Sequence, residues 1–81
     1  MTHQEISSFI EIDSSKRFGR PILKGTRISV YDVLNWMANG MTRADIIQDF
    51  PEISEESISA CLHYAARRAG PHNSARKVIK S

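Results

Sequence analysis

Gly19-Arg20-Pro21-Ile22-Leu23-Lys24-Gly25-Thr26-Arg27-Ile28-Ser29-Val30 is the stretch from which the rest of the chain can be read. Pro21 fixes φ and the two glycines tolerate positive φ, so the first part must be extended and turning. Ser29 then has the character of a helix cap. Between Ser14 and Tyr31 stand Lys16, Arg17, Arg20, Lys24 and Arg27, with no acidic residue among them. The segment predicts a cationic loop that ends at a helix N-terminus. It holds no nucleophile–base pair and no metal ligand, which suits it to contact rather than to chemistry.

Downstream, the same starting device recurs. Ser29 precedes Val30-Tyr31-Asp32, Thr42 precedes Arg43-Ala44-Asp45, and Ser54 precedes Glu55-Glu56-Ser57. In the first two, the hydroxyl can accept the third helical N–H while the carboxylate reaches back to the cap's own N–H. An apolar residue stands before each cap and another five positions later: Ile28 with Val33, Met41 with Ile46, Ile53 with Ile58. These spacings predict helices over Val30–Asn39, Arg43–Phe50 and Glu55–Ala69, stopped by Gly40, Pro51 and Gly70-Pro71. Their apolar stripes can close on one small core.

Upstream, Phe9-Ile10-Glu11-Ile12 and Pro21-Ile22-Leu23 are expected to pair as a hairpin across Asp13–Arg20. Residues 1–8 read as a flexible segment, 9–70 as a strand pair plus three-helix domain, and 71–81 as a basic tail. The expected fold is therefore mainly α: a short β-hairpin, then a three-helix bundle with a helix-turn-helix, then the tail.

A chain of 81 residues is one domain. At that size folding buries only about 60% of the surface exposed by the unfolded chain, which favours a dimer or a complex. Cys61 is the single cysteine, so neither an intramolecular disulfide nor a multi-cysteine zinc site can form. The start has no signal-peptide pattern and no long apolar run exists, so the expectation is a cytoplasmic protein with no membrane contact. The net charge of +2 is small but unevenly placed. Residues 14–31 and 57–81 are basic, while residues 32–56 carry six carboxylates against Arg43.

That distribution constrains a nucleic-acid reading. In a helix-turn-helix the last helix would enter the DNA major groove by its N-terminal end, where Glu52, Glu55 and Glu56 stand. Carboxylates repel phosphates, and capping explains them without a ligand. The better DNA footprint is Lys16, Arg17, Arg20, Lys24 and Arg27, as phosphate contacts or a minor-groove arginine. Its alternative is a solvated loop paired with Asp13 and Asp32, with Arg27 pinned to a carboxylate of the acidic middle. Trp36 lies off the main stripe of its helix and reads as a partner-binding anchor, or else as a wider edge of the core. In the tail, Arg76, Lys77, Val78, Ile79 and Lys80 form a second candidate partner contact. They could enter an acidic cleft, such as a nuclease site whose carboxylates await Mg²⁺. The alternative is a frayed terminus. Cys61 reads as a buried small hydrophobe and, with His63 two positions away, not as a metal site. No catalytic constellation is present, so an enzyme is not expected and no cofactor is implied.

Phe9-Ile10-Glu11-Ile12-Asp13, Gly19 to Val30, Met41-Thr42-Arg43-Ala44-Asp45-Ile46-Ile47, Phe50-Pro51 and Ile58 to Ala65 resemble the prokaryotic family catalogued as domain of unknown function 433. The likeness covers about residues 9–69, and its most specific part is Gly-x-Pro-x-x-x-Gly-Thr-Arg, with Gly25, Thr26 and Arg27 at its end. The resemblance implies a homeodomain-like three-helix fold behind a strand pair, dimeric, with no catalytic residues. It also implies an antitoxin of the VapB kind, encoded beside a small PIN-like nuclease toxin. The leading expectation is thus an antitoxin that binds its cognate toxin and, as a homodimer, its own operator DNA. Two alternatives stay open: a protein–protein module without DNA binding, and a stand-alone DNA-binding transcription regulator.

Overall fold

In a computed structural model, which describes residues 1–12 and 19–69, the order of elements is α1 (His3–Phe9), β1 (Ile10–Ile12), β2 (Pro21–Leu23), α2 (Val30–Ala38), α3 (Arg43–Asp49) and α4 (Glu55–Ala69). Each Ser or Thr read as a helix start is one. At α2, Ser29 Oγ accepts from Asp32 N–H at 3.0 Å, and Ser29 N–H donates to the Asp32 carboxylate at 3.0 Å. Thr42 and Asp45 repeat the exchange at 3.1 and 2.9 Å, and Ser57 N–H donates to Ser54 Oγ at 3.1 Å. The apolar residues around the caps share one core: Ile28, Val33, Ile46, Ile53 and Ile58 are buried, and Met41 packs against them half-buried. Full burial of a side chain such as Ile46 or Ile58 contributes about 1.5–3 kcal/mol.

The stops are equally local. Past α2, Gly40 sits at φ 101°, its N–H donates to the Met37 carbonyl and the Met41 N–H donates to the Trp36 carbonyl. Those two bonds satisfy carbonyls that a helix end leaves open, and only the positive φ lets both form. Helix α3 ends at Phe50, whose successor Pro51 cannot extend it.

The expected strand pair forms, antiparallel, with Ile10 opposite Leu23, Glu11 opposite Ile22 and Ile12 opposite Pro21, but Phe9, expected in the first strand, ends α1 instead. Strand β2 is closed on its far side as well, because Leu23 N–H donates to the Ile28 carbonyl at 2.9 Å and Ile22 bridges Ser29. The segment leading into α2 therefore lies along β2. Among the described residues, strand β1 has a neighbouring strand on one edge only.

The expectation of a flexible segment over residues 1–8, and with it the three-helix count, is corrected by α1. Thr2 and Glu5 form a reciprocal cap, with Glu5 N–H to Thr2 Oγ1 at 3.1 Å and Thr2 N–H to the Glu5 carboxylate at 2.7 Å. Ile6 is buried to 5% exposure, and α1 packs against α4 and β1. The carbonyl of Met1 accepts from Arg67 Nη2 at 2.8 Å, which ties the first turn to the last helix. A seven-residue helix is not stable alone; this one exists because α4 gives Ile6 a place to be buried. The described residues are thus mainly helical, with four helices and one small two-stranded antiparallel sheet.

Candidate interaction surfaces

The turn between β2 and α2 is rigid for identifiable reasons. Thr26 N–H donates to the Leu23 carbonyl at 3.1 Å, closing Leu23-Lys24-Gly25-Thr26. Gly25 takes φ 80° at the third position, where this turn demands a positive value. Thr26 Oγ1 then donates to the same carbonyl at 2.9 Å and accepts from Ile28 N–H at 3.0 Å. One hydroxyl thereby fixes both ends of the Gly-Thr-Arg motif. Arg20, Lys24 and Arg27 are exposed around it. Lys16 and Arg17, expected in the same footprint, lie outside the described residues.

Arg27 also borders a groove of about 760 Å³ whose lining includes Ile22, Ile28, Phe50, Glu11 and Glu52. Of the carboxylates of the acidic middle, Glu52 borders the same groove as Arg27. Trp36 is half-buried rather than exposed. Its ring stacks on Phe50, with centroids 4.4 Å apart and planes 5° from parallel. Such pairs add about 0.5–1.5 kcal/mol beyond their buried area, so Trp36 contributes to the core it borders.

At the start of α4, Arg43 braces α3 against α4. Its Nη1 reaches Glu55 Oε1 at 3.2 Å, Ser59 Oγ at 3.1 Å and the Glu55 carbonyl at 3.4 Å. One of the three carboxylates at that helix end is thereby committed to structure, while Glu52 and Glu56 are exposed. Cys61 is fully buried, and burial pushes its thiol up to about 12, which removes it as a nucleophile near neutral pH. Among the described residues no group of three or more His, Cys, Asp or Glu is placed to hold a metal ion. None of their helices is long and apolar enough to cross a membrane. Arg76, Lys77, Val78, Ile79 and Lys80 lie outside the described residues.

Sequence reasoning missed a second groove, of about 420 Å³, that includes His3, Ile10, Ile12, Tyr64, Arg67 and Arg68 in its lining. It exists only because α1 docks beside β1 and α4. The available signal was Thr2-x-x-Glu5, which has the spacing of the other caps.

The family described as "Protein of unknown function (DUF433)" matches residues 10–65, from the start of β1 into α4. A crystal structure of a DUF433 member protein from Anabaena variabilis ATCC 29413 superposes with a TM-score of 0.73 at 22% sequence identity, covering 95% of this chain and 74% of that chain. At that identity the likeness shows the fold alone. No curated protein matches the chain.

Proposed function

Because the chain belongs to the DUF433 family, we propose that it is the antitoxin of a type II toxin–antitoxin pair, binding a PIN-like nuclease toxin and, as a homodimer, its own operator DNA. In this reading α3 and α4 form a homeodomain-like helix-turn-helix, and the cationic turn supplies phosphate contacts. The observation that carries the DNA arm is the hydrogen-bonded Leu23–Thr26 turn, with Lys24 in it, Arg27 directly after it and Arg20 before β2, all three exposed. A backbone already held in one conformation leaves less ordering entropy to be lost on meeting phosphates. The acidic start of α4 argues for docking led by the turn rather than by base reading at that helix end.

Two measurements test the two halves. Duplex binding followed across a salt series should weaken with a slope that falls by about 2–3 when Arg20, Lys24 and Arg27 are all changed to Ala, since each phosphate contact contributes about 0.9. An unchanged slope removes the turn from the footprint, and no duplex binding near physiological salt leaves the protein–protein reading alone. A tagged chain recovered from its source cells should carry a stoichiometric small nuclease-like protein. Recovery with DNA and no protein would favour a stand-alone regulator instead.

A further inference from the structure

The second groove lies between α1, β1 and the last turns of α4. Its floor is apolar. Ile10 is buried there, and Ile12, 60% exposed, is the more exposed of the two large hydrophobic residues at the described surface. Ile10 and Ile12 share this face of β1, whereas Glu11 between them lines the other groove. Among the described residues the rim is basic and no carboxylate lines the groove: Arg67 and Arg68 stand on α4, with His3 on α1. The Arg68 guanidinium lies 5.7 Å from the Tyr64 ring centroid, and Arg67 gives one donor to the Met1 carbonyl at 2.8 Å.

Two arginines in the last turn of a helix are accounted for by the helix dipole. That account leaves Ile12 unexplained, an exposed isoleucine on a strand edge that no other described strand pairs. Apolar floor, cationic rim and open strand edge coincide. We propose that this groove docks an acidic segment of a partner protein, which lays an apolar side chain on Ile12 and Tyr64 and sets carboxylates against Arg67 and Arg68. Charge selects that occupant over the two nearer at hand. A second copy meeting this patch with the same patch would bring four arginines together. Residues 70–81 of the chain itself carry Arg76, Lys77 and Lys80 and no acidic side chain, so they meet the rim with like charge. The proposal goes beyond the antitoxin reading, since it requires neither DNA nor a nuclease.

The test uses the full chain labelled with ¹⁵N and titrated with a short blocked peptide of alternating leucine and glutamate. A lysine-for-glutamate counterpart serves as control. The amides of Ile10, Ile12, Tyr64 and Arg68 should shift saturably with the glutamate peptide and stay still with the lysine one. Ile12→Ser and Arg68→Gln, both at exposed positions, should each weaken binding by about fivefold or more, with the thermal midpoint of the first unchanged and that of the second lowered by only about a few degrees. The proposal is overturned by no binding, by equal binding of both peptides, by shifts confined to the Arg27 groove, or by indifference to both variants. It is overturned equally if Ile12 shifts on dilution of the protein alone, which gives the groove to a second copy. Contacts between Ile12 and Val78 or Ile79 would give it to the chain's own end.

Discussion

Gly25 shows how one residue holds the motif. Its φ of 80° closes the turn, and a methyl group added there would meet no atom within 4 Å. Space is available; the backbone conformation is what an L side chain resists. Gly25→Ala should therefore cost about 1–2 kcal/mol, read as a lower midpoint in chemical denaturation, while Lys24→Ala beside it changes little. The caps give a pH signature at the same scale. The Asp45 carboxyl is held below its usual range, chiefly by the backbone N–H of Thr42 and then by the Thr42 hydroxyl. Glu5 is likewise lowered, chiefly by the Thr2 backbone N–H. A carboxyl lowered in the folded state adds stability above its unfolded value, and that stability is lost as the pH falls through the folded value. The two contributions should be complete above about pH 5 and fade below pH 4. Replacing Asp45 with Asn should flatten that acid limb in denaturation curves taken across the range; a limb of unchanged slope would show that the cap bond does not survive in solution.

Helices show where sequence patterning stops being informative. Helices α2, α3 and α4 were legible because Ser29, Thr42 and Ser54 each stand one residue after an apolar position that is matched five residues later. Met1-Thr2-His3-Gln4-Glu5-Ile6 repeats that arrangement, yet α1 has only seven residues and one buried side chain, too short a run for a stripe to be counted. What makes it a helix is its contact with α4, and no local pattern reports a contact with a helix that begins as far along the chain as Glu55. The same reason hid the second groove, and also the partner of Trp36: its position off the stripe was readable, but the stack on Phe50 is a tertiary fact. The cationic turn was readable because its charges are contiguous in sequence. Ile6→Ala should cost about 2–5 kcal/mol, enough to release α1. Hydrogen exchange should then show the amides of residues 5–9 losing protection before those of α2, and protection kept throughout α1 would contradict the dependence of that helix on its docking.

Over the whole molecule, Cys61 reports how often the core opens. It is fully buried and its thiol is pushed up to about 12, so a thiol reagent at neutral pH should label native protein far more slowly than unfolded protein. Mass spectrometry should find a labelling rate that rises with denaturant in step with global unfolding, and Ile6→Ala should speed it. Labelling of the native protein as fast as that of the unfolded chain would mean that the centre of the core opens locally. The bond from Arg67 to the Met1 carbonyl has a further consequence, which belongs to the order of synthesis. Translation makes α1 before α4, yet the seat α1 needs lies on α4. Until Arg67 has left the ribosome, Met1, Ile6 and Phe9 travel with their apolar faces in water, available to chaperones. Helix α1, made before the other described elements, is thus among the last of them to find its place.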